Sequence, residues 1–250
     1  MIGSVERYSP AAGKRRAGPL GGRLLRVVLI GLLLYLVVSR FIAGSYRIES
    51  VSMEPSLLPA QRVIVSLIAY GPRVPYSLAR LPGMGLPQRG DLVVVQPPFV
   101  SDASLVLKIA EPVASFFSLQ KLTLFRDPFG SPVTSYMVKR VVGLPGDTIR
   151  LSHFSVSVRP RGGTDFVPEQ QMVPVTYKVQ GSMPARGWSE QLPLSGTRNG
   201  DLLLDDQQYF VLGDNRPSSS DSRSWGPVRL ERIVGKVVYR YWPPAAIGVP

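Results

Sequence analysis

The chain has 250 residues, a formal net charge of +12, 24 glycines, 24 prolines, no cysteine and one histidine, His153. Lack of cysteine excludes disulfides, thiol catalysis and cysteine-based metal sites, and one histidine in unremarkable surroundings supplies neither a Ser-His-Asp triad nor a zinc site, so no metal and no other cofactor is expected. Short Val/Ile/Leu runs between Gly and Pro turn signals predict mainly β structure, in one large domain or one and a half.

Residues 1–23 form a polar, basic tail. Before residue 27, Arg7, Lys14, Arg15, Arg16, Arg23 and Arg26 stand against Glu6, ahead of the first uninterrupted apolar residues. That run, residues 24–43, has Arg26 and Arg40 near its ends and a core from Val27 to Val38. With its flanks it offers about 20 residues, enough for roughly 30 Å of hydrocarbon if both arginines snorkel. A cleaved signal peptide or a buried helix are the alternatives. A cut at Ala43-Gly44-Ser45 would leave the next motif abruptly at a new terminus, which favours an uncleaved anchor. The charge imbalance across the run places the tail in the cytoplasm and residues 44–250 outside. The remaining arginines are scattered between apolar strands, with no helix-turn-helix spacing and no aromatic-rich RNA-binding strand. Anionic lipid is the expected partner of this charge, and nucleic acid is not.

A short strand over Tyr46–Val51 leads to Ser50-Val51-Ser52-Met53-Glu54-Pro55-Ser56-Leu57. Pro55 pushes Glu54 out of the helical region and sets Ser52 near a bend. Gln61–Leu67 reads as a strand. The apolar stretch 69–88 is broken by Pro and Gly, and reads equally as a core-covering loop or as a flap touching a membrane. Arg89-Gly90-Asp91 is a turn into a buried strand, Leu92–Gln96. Residues 97–135 carry Phe116, Phe117, Leu119, Leu122, Leu124 and Phe125 and fit an insertion hairpin or a short helix. Tyr136–Val142 is a strand closed by the turn Gly143–Asp147 into Thr148–Leu151. Residues 152–206 form an irregular insertion or cap, with His153 in a strand-like alternation and a strand near Met172–Val179. Gln208–Leu212 opens on Gly213-Asp214-Asn215-Arg216, a serine-rich loop follows to Ser224, and Ile233–Tyr241 is the last strand.

Lys139 interrupts an apolar strand. Burial lowers a lysine pKa because the charged form loses hydration, and a neutral amine can serve as the base for a serine where no histidine does. Side chains alternate along a strand, so Lys139 and Arg140 point to opposite faces and one of them faces inward. The loop from Gly213 to Arg223 gathers short polar side chains that can orient an amine, with a salt bridge from Asp221 to Arg223 or Arg216.

Together, the Ser50–Leu57 stretch, Lys139-Arg140-Val141-Val142-Gly143-Leu144-Pro145-Gly146-Asp147, and Gly213-Asp214-Asn215-Arg216 through Ser219-Ser220-Asp221-Ser222-Arg223 closely resemble the bacterial type I signal peptidases, in that family's order and after an N-terminal anchor. Arg89-Gly90-Asp91 with its following strand looks like a fourth family box. The resemblance implies a membrane-bound Ser-Lys endopeptidase with a largely antiparallel β-sheet catalytic domain. It would remove signal peptides with small residues at −1 and −3 from secretory preproteins, at the outer face of the bacterial cytoplasmic membrane. By motif position, Ser52 matches the nucleophile and Lys139 the general base. Ser50 matches the serine that joins the Ser52 amide in the oxyanion hole. Ser219 matches the residue orienting the lysine, with Asp221 and Arg223 supporting it. Ile48, Met53 and Val138 match pocket-lining positions. A self-cleaving Ser-Lys peptidase of related fold, or an inactive membrane-anchored relative, would carry some of the same features.

Overall fold

A computed structural model describes residues 20–74, 79–96, 110, 113–114, 136–152, 155–174, 177–181 and 201–250. The expectations for residues 97–135 and for His153 fall outside these residues, apart from the isolated positions 110, 113 and 114. The chain divides into two units, Met1–Tyr35 and Leu36–Pro250.

In the first unit the helix α1 begins; it spans Leu20–Val37 and is followed by a π-helical turn, Val38–Ile42. The stretch Gly21–Ile42, 22 residues, is long and apolar enough to cross a membrane by length and composition. Leu24, Leu25, Val27, Leu29, Ile30, Leu33 and Leu34 are all exposed, as a lipid-facing surface would be.

The second unit is built of antiparallel strands. Among the described residues they are, in chain order, β1 Ala43–Arg47, β2 Arg62–Ser66, β3 Leu92–Val95, β4 Met137–Gly143, β5 Thr148–Ser152, β6 Ser155–Arg159, β7 Val167–Pro168, β8 Leu202–Leu203, β9 Gln208–Leu212, β10 Val228–Arg229 and β11 Ile233–Trp242. Seven of them form one sheet in the order β1-β2-β11-β3-β4-β9-β10, and four form a smaller sheet, β7-β6-β5-β8. The expected mainly β, antiparallel class is the class found.

The strand β3 explains why the large sheet holds. All four of its residues are buried, Leu92 and Val94 in one apolar cluster and Val93 and Val95 in another. Successive side chains point to opposite faces, so this sheet is covered on both. A third cluster joins the sheets: Val142, Phe210 and Leu212 of the large one meet Ile149, Val156, Val158 and Leu204. The turn after β4 fixes that junction. Leu144 N donates to Asp147 Oδ2 at 2.6 Å, and Asp147 pairs with Arg89 at 2.7 Å. Arg89-Gly90-Asp91 thus has structural work, with Asp91 also accepting from Tyr70 and pairing with Lys236.

Two expectations are corrected. The first strand ends at Arg47. Its ladder with β2 stops at Arg47↔Arg62, and after the paired Ile48 the chain runs extended through exposed Glu49 and Ser50. Among the described residues near Met172–Val179, which are 172–174 and 177–179, no strand forms. Glu169–Met172 is a helical turn instead, Pro174 has no N–H to offer a ladder, and the side chain of Glu169 is drawn inward to a buried arginine. The described residues of the stretch 69–88 are of two kinds. Tyr70 is buried in a core cluster, while Leu81, Met84 and Leu86 are 44%, 82% and 63% exposed.

Gly143 lies where the sheets press together. A Cβ there would stand 2.8 Å from both Ile149 Cδ1 and Phe210 Cβ. Gly143→Ala should therefore lower stability by about 1–3 kcal/mol through overpacking, read as a lower urea midpoint with an unchanged m-value.

Candidate active site

The strand β4 carries the site because both of its faces are covered. Lys139 is 1% exposed and Arg140 4%, so the alternation puts both basic groups inside, on opposite faces, where one had been expected. Across the sheet Val93 pairs with Lys139, and Val141 pairs with Val211 on β9. Extending that second register by two residues sets Gly213 opposite Lys139. Glycine is required there: a Cβ at 213 would overlap the Ser219 side chain and approach Ser52 O to 2.6 Å.

Ser52 arrives from the other side. Val51–Met53 forms a single 3-10 turn, ended by Glu54 in an extended conformation (φ −64°, ψ 142°) ahead of Pro55. Met53 and Leu57 are buried and pin the turn to the core. The loop after β9 clamps it, with Asn215 N donating to Ser52 O at 3.0 Å and Asn215 Nδ2 donating to Val51 O at 3.1 Å. Ser52 is 5% exposed, just after exposed Ser50 and Val51 and before buried Met53.

Residues 87 positions apart meet as a result. Lys139 Nζ donates to Ser52 Oγ at 2.9 Å and to Ser219 Oγ at 3.2 Å. Ser219 donates its own hydrogen to Asp221 Oδ2 at 2.7 Å. Its oxygen can then only accept from the lysine, so one N–H of Nζ is committed to Ser219, and on losing a proton the amine can present its lone pair to the Ser52 hydroxyl in place of the N–H it donates there. Burial lowers the Lys139 pKa from 10.5 to about 8, with the nearby Arg223 charge also lowering it, while Asp221 and Asp214 act against the shift. A neutral amine so placed can take the proton of the Ser52 hydroxyl. Ser50 Oγ lies 3.1 Å from Ser52 Oγ, at the mouth of the same turn.

Asp221 and Arg223 form a buried pair. Arg223 donates Nε to Oδ1 and Nη2 to Oδ2, both at 2.8 Å, and Gly213 N donates to Oδ2 at 3.0 Å. Burial alone would raise the Asp221 pKa. The hydrogen bonds and charge of Arg223, the Lys139 charge and the Gly213 amide outweigh it and hold the carboxyl below its usual range. Arg216 is not part of this pair: it binds Glu169 at 2.6 Å.

Ile48 and Met53 lie in the apolar cluster against which half-buried Val138 packs, so the three expected pocket residues share one region with Tyr46 and Tyr136. Sequence reasoning missed what lies on the other face of β4. Arg140 grips Asp214 through Nε to Oδ1 at 2.9 Å and Nη2 to Oδ2 at 2.7 Å, and Ser56 donates to Oδ2 at 2.5 Å. The signal was present in the neighbouring letters, since Arg140 and Asp214 both sit inside the quoted motifs. Glu169 and Tyr177 had no such signal. Among the described residues, no group of three or more His, Cys, Asp or Glu is placed to hold a metal ion.

Removing Arg223 would leave Asp221 charged, buried and unpaired. Arg223→Met is expected to cost about 3–5 kcal/mol of unfolding free energy, measured by urea unfolding at neutral pH. Acidification below 3.8, the ordinary Asp value, should narrow the difference, because the pair's contribution is present above that pH and is lost as the Asp221 carboxylate is protonated.

Residues 22–242 match the family model for signal peptidase, peptidase S26. The chain is 28% identical over 224 residues to a probable signal peptidase I-2 of Synechocystis, covering 90% of this chain and 74% of that one. It is 27% identical over 240 residues to signal peptidase I of Leptolyngbya laminosa, covering 96% and 88%. A solved signal peptidase I from Enterococcus faecalis aligns at 21% identity and a TM-score of 0.32, over 62% of this chain and all of that one. The match of the family model over nearly the whole chain, 22–242, makes it a member of the signal peptidases of family S26.

Proposed function

We propose that the chain is a membrane-bound serine endopeptidase that removes N-terminal signal peptides from exported preproteins, with Ser52 as nucleophile and Lys139 as general base. The observation that carries this reading is the 2.9 Å contact between Lys139 Nζ and Ser52 Oγ in a site where the amine titrates at about 8. At pH 7 about a tenth of such an amine is neutral, against roughly one part in three thousand for a solvated lysine.

The chemistry follows from the contacts. Ser52 Oγ attacks the scissile carbonyl carbon while Nζ takes the hydroxyl proton, and the carbonyl oxygen gains the negative charge. The Ser52 amide and the Ser50 hydroxyl face that charge as oxyanion donors. As the intermediate collapses, the carbon–nitrogen bond breaks and the Lys139 ammonium protonates the leaving amine, leaving an ester on Ser52. Lys139 then takes a proton from water, the hydroxide attacks the ester, and Ser52 departs and regains its hydrogen. Ser219 keeps one face of the amine occupied throughout, and the Asp221–Arg223 pair holds Ser219. Ile48, Met53 and Val138 offer an apolar wall suited to small side chains at −1 and −3.

The geometry also supports a single-pass arrangement. We assign residues 1–23 to a cytoplasmic tail, 24–43 to the anchor and 44–250 to a catalytic domain on the outer side of a bacterial cytoplasmic membrane, with 97–135 and 152–206 as insertions. Leu67 N donates to Ile42 O at 2.9 Å, so the end of β2 meets the last residue of the apolar stretch Gly21–Ile42. Met84 N and Gly85 N donate to Ile68 O and Ala69 O, each at 3.0 Å. Exposed Leu81, Met84 and Leu86 are thereby held beside the anchor's outer end, where lipid would cover them.

Purified full-length protein in detergent should cleave a preprotein with Ala at −3 and −1. Ser52→Ala and Lys139→Ala should each lower kcat on the order of 10⁴-fold or more; turnover near wild type in either variant would sink the dyad. The pH dependence of kcat/KM gives a separate check. A base is needed in its neutral form, so activity should rise with pH through about 8 and level off above it. A limb that climbs only near 10.5 would mean a solvated amine.

A further inference from the structure

The small sheet sends one buried carboxylate to the back of the loop that follows β9. Glu169 is 3% exposed, at the start of the helical turn after β7. Its Oε1 accepts from Arg216 Nη2 at 2.6 Å, and Tyr177 donates its hydroxyl to Oε2. Arg216 Nη2 also reaches the Tyr177 oxygen at 3.3 Å, and the Arg140 guanidinium lies over the Tyr177 ring, 4.3 Å from its centroid. The backbone runs alongside: Gln180 N donates to Asp214 O and Arg216 N to Gln180 O, both at 3.0 Å, forming a parallel bridge between Gln180 and Asn215.

Stability alone accounts poorly for this arrangement. Desolvating a carboxylate and a guanidinium costs several kcal/mol per ion, and apolar side chains of similar volume would fill the space at least as well. What the pair does is fix Arg216, which is tied into the loop at two further points. Its Nε donates to Gly213 O at 2.9 Å, and its own carbonyl accepts from Arg223 Nη2 at 2.8 Å. From Gly213 the path runs through the amide to Asp221, Ser219 and Lys139. From Asn215, next to Arg216, it runs to the carbonyls of Val51 and Ser52. Displacing Arg216 therefore disturbs both partners of the dyad.

We propose that Glu169 is a positioning residue for the Ser52–Lys139 dyad: it holds Arg216, and through it the small sheet sets the geometry of the loop that orients the base and clamps the nucleophile turn. The inference rests on the peptidase reading given above. Its reach can be stated group by group. The groups around Glu169 are Arg216 and Tyr177, with Arg140 and Asp214 acting on Tyr177 from behind. Asp221 is the other carboxylate whose charge acts on Arg216. Without Glu169, Arg216 swings toward Asp221 and draws it from Ser219. Lys139 then loses negative support, and its neutral form is favoured at lower pH while its aim at Ser52 deteriorates.

The test uses the full-length protein in detergent and the same preprotein with Ala at −3 and −1. Glu169→Gln keeps the shape and removes the charge. It should lower kcat about tenfold with KM changed less than about twofold, and move the rising limb about half a pH unit to lower pH. Glu169→Asp keeps the charge and should recover most of both effects. Thermal unfolding of each variant gives the folded fraction to which kcat is normalised. Wild-type kcat and limb in Glu169→Gln would overturn the proposal. So would a loss of kcat that only tracks the folded fraction, with the limb unmoved and Glu169→Asp no better than Glu169→Gln. Ser52→Ala separates the two layers: if it stays active, the underlying reading has failed; if it is dead while Glu169→Gln is normal, the positioning role alone has failed.

Discussion

The buried amine of Lys139 is the constraint on which the rest of the second unit depends. A lysine inside apolar surroundings loses hydration, and at pH below about 8 its ammonium form there costs on the order of 3 kcal/mol relative to water. That cost fades as pH rises from about 8 to 10.5, the window in which the unfolded chain still holds a proton that the folded one has lost. A fold that keeps such a group needs a strand covered on both faces, a glycine opposite it to admit other groups, and hydrogen-bond partners for the amine. The sheet order β3-β4-β9, Gly213, and the pair Ser219 and Asp221 meet those three needs in turn.

The charges around the lysine are arranged so that they do not undo its desolvation. Asp221 lies close enough to favour the ammonium, yet its two oxygens are already occupied by Arg223, Ser219 and the Gly213 amide. An unpaired aspartate at the same distance would hold the amine protonated. Arg223 neutralises it and pushes the lysine in the opposite direction. On the far face of β4, Arg140 and Asp214 form a second bidentate pair, which anchors the loop after β9 without contributing a free charge to the site. Buried ion pairs of this sort add little to stability but leave a large penalty when half is removed, which makes the geometry specific rather than merely strong.

How far the sequence could be read depended on the range of the interactions. The strand β4, the turn after it and the loop from Gly213 to Arg223 follow from local pattern: alternation, Gly and Pro placement, and clustered short polar residues. Ser52 and Lys139 were legible because the motifs around them are themselves local. The end of the first strand was misjudged because Tyr46–Val51 is uniformly strand-compatible, and only the length of the β2 partner decides where pairing stops. The strand expected near Met172–Val179 is missing from the described residues there for a related reason. Met172, Val173 and Val175 suggest a strand, but Pro174 breaks the ladder and Glu169 has a long-range partner in Arg216 that no spacing rule exposes.

That long-range pair changes what the second sheet is for. By composition, residues 152–206 resemble a tolerated insertion, polar and rich in Gly and Pro. In the fold, β5 and β6 pack their apolar faces against Val142, Phe210 and Leu212 of the large sheet, and the segment beyond β7 reaches past that junction to the loop holding Ser219 and Asp221. Core packing and polar contacts therefore converge on one stretch, β9 and its following loop, from opposite ends. β9 is fixed by apolar burial, and the loop by Glu169, Gln180 and the Arg140–Asp214 pair. A loop of short polar residues held on this many sides can keep Ser219 and Asn215 in register with Lys139 and Ser52, although the four residues come from three separate stretches of the chain.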